Sequence, residues 1–133
     1  MSKASGLGWS TCSVDDSAGT PTVIKNDVNG ITIGTPRAVW DVTGVDQSAI
    51  SRILLLADAS VSLNTIFNAT GAHLVFRTVP STSVNRTTTL TVNGVTLAME
   101  ILYTDYPLTR AQGGELTATV PGVLADGTVP TWA

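Results

Sequence analysis

The sharpest alternation of apolar and polar positions lies on either side of Asn93-Gly94. Leu90 and Val92 alternate with Thr89 and Thr91 before the pair, and Val95, Leu97, Met99 and Ile101 alternate with Thr96, Ala98 and Glu100 after it. A period of two marks a strand with one buried face, and Asn-Gly tolerates the positive φ that both central residues of a type I′ turn require. The pattern predicts a hairpin with arms at 87–92 and 95–103. A further strand is predicted at 115–120, after Gly113-Gly114, pairing with 102–109, where Pro107 must occupy an edge or a bulge. Upstream, 60–67 reads as a strand with Val61, Leu63 and Phe67 on one face, and 9–14 and 31–34 are shorter candidates. Turn residues place loops at 15–21, 26–30, 69–71 and 79–83.

One helix is predicted. Asp46 can cap the amides that follow it, and Ala49, Ile50, Ile53 and Leu54 then share a face, with Gln47, Ser48, Ser51 and Arg52 largely opposite. It has two to three turns and needs a sheet to pack on. The expected fold is therefore mostly β: a single domain over 1–133, a β-sandwich with one short flanking helix. Residues 1–8 and 121–133 read as terminal arms. They lack sustained alternation but keep the apolar residues Leu7, Val123, Leu124 and Trp132, which a disordered tail has little reason to hold. Those four, with Trp9 and Trp40, are the expected contacts between subunits, since tryptophan favours cores and interfaces.

Composition strengthens the expectation of self-association. Of the 133 residues 43% are hydrophobic and only 13% charged, against about a quarter charged in an ordinary soluble domain. A chain with so few charges has reason to cover part of its surface with partners. The net charge is −3 and the pI about 4.7. Lys3, Lys25, Arg37, Arg52, Arg77, Arg86 and Arg110 are spread along the chain, so no cationic stripe is expected to grip nucleic acid. The longest apolar run, 53–57, is too short to span a bilayer, and the first ten residues lack a signal-peptide core, so no membrane association is expected.

Candidate chemistry is sparse. His73 is the only imidazole and stands beside Leu74-Val75-Phe76; Cys12 is the only thiol, which excludes an intrachain disulfide. Neither belongs to a nucleophile–base motif. Asp15-Asp16 precedes Ser-Ala-Gly and reads as a turn whose carboxylate bonds the local backbone. Gly6-Leu7-Gly8 lacks the third glycine of a dinucleotide loop, and there is no phosphate-loop Gly-Lys-Ser or Gly-Lys-Thr. No catalytic, cofactor or metal residues are assigned, and the chain is expected not to be an enzyme.

Several segments resemble a known family. In 36–68, Asp41-Val42-Thr43 precedes a Ser-Ala-containing stretch, Leu56-Ala57-Asp58 makes a turn, and an alternating strand follows. This order is similar to the central part of small actinobacteriophage major tail tube proteins of long-tailed siphoviruses. The segments 76–84 and 120–128 resemble the same group, so the likeness covers most of the chain. It implies a structural virion protein, assembled in the host cytoplasm into rings of six. These stack as a tube around a tape-measure protein, with tail terminator and distal tail proteins at the ends, and DNA passes through the lumen without specific binding. A virion decoration or receptor-binding β-sandwich would share the composition without polymerising.

Overall fold

The computed structural model describes Lys3 and residues 5–133; Met1, Ser2 and Ala4, which fall in the expected amino-terminal arm, lie outside the described residues. A single 3-10 turn at Gly6–Gly8 leads into β1 (Trp9–Asp15), β2 (Pro21–Val23) and β3 (Val28–Gly34). The hairpin strands β4 (Arg37–Asp41) and β5 (Arg52–Ala57) precede β6 (Ser60–Ile66) and the helix α1 (Ala72–Phe76). The chain closes with β7 (Arg86–Val92), β8 (Val95–Tyr103), β9 (Leu108–Arg110) and β10 (Leu116–Leu124).

Eight strands form one antiparallel sheet in the order β2-β1-β7-β8-β10-β6-β3, with β9 also paired to β10. Side chains from both halves of that sheet meet in one core: Cys12 and Val14 of β1, Val61 and Leu63 of β6, Leu97 and Ile101 of β8, Val120 of β10. The sheet is thus folded over on itself as a β-sandwich, and α1 contributes Ala72, Val75 and Phe76 to the same core. Burial follows the period of two: in β8, Leu97, Met99, Ile101 and Tyr103 point inward and Ala98 and Leu102 outward.

The predicted central hairpin is present, with Leu90 opposite Leu97 and Val92 opposite Val95. Asn93 and Gly94 carry φ of 50° and 82°, the conformation that a type I′ turn imposes and that β-branched residues resist. β10 pairs with β9 and β8 as expected, and Pro107 falls between β8 and β9. The strand runs on to Leu124, four residues into the stretch read as a carboxy-terminal arm. Gly122 makes this possible: a Cβ there would overlap the Ile101 side chain and come within 3.1 Å of the Tyr103 ring. In β6 the third inward position is taken by Thr65, whose hydroxyl donates to the Ala118 carbonyl at 3.2 Å. Phe67 follows the strand and is partly buried.

The helix expected over 46–54 does not form. Asp41 pairs with Arg52 and Trp40 with Ile53, so this segment is the end of the β4–β5 hairpin and the start of β5. Two physical reasons account for this. Ile50, Ile53 and Leu54 are all exposed, so the core against which a two-turn helix would gain its stability is missing. Short polar side chains also bond the local backbone instead: the Thr43 hydroxyl accepts from the Ser51 amide at 2.8 Å, and the Asp41 carboxylate accepts from the Thr43 amide at 3.0 Å. The helix that does form, α1, covers the stretch in which the sequence offered only an apolar run beside His73. Its first amide, that of Ala72, donates to the Asp27 carboxylate at 3.0 Å, and Asn68 Nδ2 donates to the other Asp27 oxygen at 2.9 Å.

Candidate functional site

The β4–β5 hairpin is a separate two-stranded sheet. Every residue of β4 and all but the last of β5 are exposed. Because successive side chains of a strand point to opposite faces, the run Ile53-Leu54-Leu55-Leu56 makes both faces of the hairpin apolar. Trp40 is 58% exposed and Leu56 85% exposed. Single exposed aliphatics are ordinary, but here a contiguous set stands on an element with no core of its own. The hairpin is also stiff. The Arg37 guanidinium donates twice to the Leu55 carbonyl, at 2.7 and 3.0 Å, tying the base together. At the far end Gly44 donates its amide to the Gln47 side chain at 2.8 Å. The Thr43 hydroxyl and amide hold the Asp41 carboxyl below the usual carboxylate range.

The six residues expected at subunit contacts fall in different places. Leu7 sits on the 3-10 turn and is 94% exposed, while Trp9 begins β1 and packs partly against the core. These two border one groove of about 520 Å³. The amino-terminal segment that carries them is pinned to the central turn, since the Asn93 amide donates to the Gly8 carbonyl and Asn93 Nδ2 to the Ser5 carbonyl, both at 2.9 Å. Trp40 stands on the hairpin. Val123 and Leu124 end β10, the first exposed and the second packed against the core. Trp132 is 46% exposed and forms an antiparallel bridge with Leu97, reinforced by two 2.9 Å bonds between Thr96 and Ala133. The terminal segment therefore covers the edge of β8 beyond the reach of β10. A second groove, of about 390 Å³, lies at the hairpin base between Leu55, Leu56 and Val129. The apolar surface of the hairpin, with Val39, Ile50, Leu54, Leu55 and Leu56, went unrecognised apart from Trp40. The signal for it was the apolar run from Ile53 to Leu56, of which only Ile53 and Leu54 were read above, as part of a helix face.

The groups with chemical potential are placed otherwise. Nδ1 of His73 lies 3.1 Å from the Tyr106 hydroxyl, and its ring packs 4.9 Å from that of Phe67. Asp16 accepts the amides of Ala18 and Thr20, each at 2.9 Å, the turn role expected of it. Among the described residues, no group of three or more His, Cys, Asp or Glu side chains could hold a metal ion. The Cys12 thiol faces the core, and burial pushes its pKa up from 9 to about 11.

That shift has a measurable consequence. The folded protein holds the thiol proton more tightly than the unfolded chain does, so the associated stability is complete below pH 9 and is lost as pH rises through 11. Two pKa units correspond to about 2–3 kcal/mol. Urea unfolding should show stability falling between pH 9 and 11, with a shallower fall in Cys12→Ala; equal slopes in the two proteins would refute the assignment. Burial also raises the pKa of Tyr103, so a residual slope should persist in the variant above pH 10.

No protein-family model matches the sequence, and no curated protein matches it significantly. Solved structures do. Over 98% of its length the chain superposes on 99% of a chain from the tail of an empty gene transfer agent (GTA) particle, determined by helical refinement with C6 symmetry. The TM-score is 0.75 and the identity 15%. The two chains share one fold. A chain from the virion of the native GTA particle matches over the same shares, with a TM-score of 0.71 and 14% identity. The shared fold therefore extends over nearly the whole protein.

Proposed function

We propose that this chain is the repeating subunit of a phage-like tail tube. In this reading it closes into homohexameric rings that stack around a tape-measure protein and later conduct DNA, with terminator and distal tail proteins at the two ends. The observation that carries the proposal is the end-to-end likeness to a chain of a C6-symmetric tail. The exposed hairpin supports it energetically. Burying a Leu, Ile or Val side chain contributes about 1.5–3 kcal/mol. Ile53, Leu54, Leu55 and Leu56 are already partly covered, so covering the rest would give on the order of 3–7 kcal/mol towards the cost of ordering a neighbour.

The charge pattern fits a conduit. A wall that lets DNA slide must not collect phosphate, and the chain has only seven Lys and Arg, none clustered in sequence. The proposed location is the tail of a virion or virion-like particle, and the proposed role is structural, with no catalytic step. The test is polymerisation of the purified full-length protein as its concentration is raised, followed by sedimentation and negative-stain microscopy. Hollow tubes of constant diameter are expected. Protein that stays monomeric at all concentrations, or that forms only amorphous aggregate, would refute the proposal.

A further inference from the structure

We infer that Asn29 is a site of spontaneous modification, where the side-chain amide closes onto the Gly30 nitrogen and opens again as aspartate or isoaspartate. The chemistry needs water and no partner, and it is independent of the tail-subunit reading. In the first step the Gly30 backbone nitrogen gives its proton to solvent and attacks Cγ of Asn29. The Cγ–Nδ2 bond breaks and ammonia leaves. Water then opens the cyclic imide. Breaking the bond to Cγ yields aspartate, and breaking the bond to the backbone carbonyl carbon yields isoaspartate, with no change of oxidation state. The reaction favours a free asparagine side chain, a following residue with no side chain to shield the attacking nitrogen, and backbone that can leave its ladder locally.

The chain holds two Asn-Gly pairs, Asn29-Gly30 and Asn93-Gly94. Both asparagines are exposed, so exposure does not separate them; their surroundings do. Asn93 closes the turn between β7 and β8, which lie inside the sheet between β1 and β10. Its Nδ2 donates to the Ser5 carbonyl and its amide to the Gly8 carbonyl, both at 2.9 Å, and its Oδ1 lies so close over Gly8 that a Cβ there would overlap it. Cyclisation at Asn93 must first break these contacts. Asn29 stands on β3, the last strand of the sheet, which pairs only with β6 among the described residues. Val28 faces Thr65 and Gly30 faces Asn64, so Asn29 is the extra residue of a bulge and has no partner across the ladder. The side-chain bonds of its neighbours Lys25 and Asp27 involve Ser10, Asn68 and Ala72, and none between described residues involves Asn29. Asn29 and Gly30 border the groove of about 520 Å³, which gives water access to both. Packing favours glycine at position 30: a Cβ there would come within 2.8 Å of Nδ2 of Asn64, whose Oδ1 accepts from the Thr119 hydroxyl at 2.9 Å. The attacking nitrogen is therefore left unshielded. Conversion places a new carboxylate at the groove, and isoaspartate adds a carbon to the backbone of the edge strand.

The test incubates the full-length protein at mildly alkaline pH, folded and in urea, and samples it over time. Trypsin cuts after Lys25, Arg37, Arg86 and Arg110 and so places the two Asn-Gly pairs in separate peptides. Mass spectrometry locates the amide-to-acid shift, with fragment ions telling Asn29 from Asn26, and enzymatic methylation detects isoaspartate. In the folded protein Asn29 is expected to convert about tenfold or more faster than Asn93, the weight of the hydrogen bonds that must open first at Asn93. In urea the two rates should draw together, because the difference belongs to the fold. Asn29→Ser should leave the peptide 26–37 unmodified and the melting temperature within a few degrees of the parent's. Asn29 that remains an amide in the folded protein, or that converts no faster than Asn93, overturns the inference. So does an acid shift that persists in the 26–37 peptide of Asn29→Ser.

Discussion

Leu54→Asp combined with Leu56→Asp is expected to leave the monomer folded and to abolish tubes. The two parts of the result have separate causes. Both side chains stand on a hairpin that pairs only with itself and lies outside the core cluster, so the native monomer loses no buried contact. Its melting temperature should stay within a few degrees of the parent's. In the proposed assembly the same side chains would supply apolar area, at about 2 kcal/mol for each one fully covered. Placing a carboxylate there adds the cost of desolvating a charge without a partner. Every subunit contributes a hairpin, so the deficit recurs at every contact. Circular dichroism and pelleting measure the two parts. A variant that pellets like the parent would show that the hairpin surface is not what joins the subunits; one that unfolds would place the hairpin in the core.

Arg86→Met should cost about 3 kcal/mol or more of stability and lower the melting temperature by on the order of 10 °C. Arg86 opens β7 and is 1% exposed. Its guanidinium donates to the Asp15 carbonyl at 3.1 Å, the Val75 carbonyl at 3.0 Å and the Thr78 hydroxyl at 2.8 Å. One side chain thus ties the β1–β2 turn to α1 and to the loop that follows it. Burial lowers its pKa, and Asp16 and Asp15 oppose that shift by attraction. Methionine fills most of the volume but leaves those acceptors unmet, at roughly 1–3 kcal/mol for each buried one. Arg86→Lys should recover only part of the loss, since a single ammonium cannot reproduce the planar fork. Urea denaturation measures both. A midpoint for Arg86→Met within error of the parent's would refute the structural role given to this residue.

The parts of the fold that sequence revealed are those whose burial imposes a period. β8 and β10 alternate because one face of each meets the core, and the turn at Asn93-Gly94 is legible because few residues adopt positive φ there. The β4–β5 hairpin was misread for the converse reason. Its apolar residues meet no core within the chain, so nothing in the monomer constrains them to alternate, and Ala49, Ile50, Ile53 and Leu54 fall on a helical spacing by coincidence. α1 is five residues long, too short to show a period, and its first amide is met by Asp27, 45 positions earlier in sequence. Arg86 carries no local mark of burial; its partners come from β1, α1 and the following loop, and only the assembled fold brings them together. Trp9 and Trp40 were singled out as contact residues by type alone, and the structure puts them on the groove and on the hairpin.

The central claim, that this chain is the repeat of a hollow tail-like tube, is tested most directly by cryo-electron microscopy of the polymer formed by the purified full-length protein. The expected map has six copies of the β-sandwich around an open lumen in every ring, with each hairpin covered by a neighbouring copy. A filament with no lumen, or rings in which the hairpins remain in solvent, would contradict it.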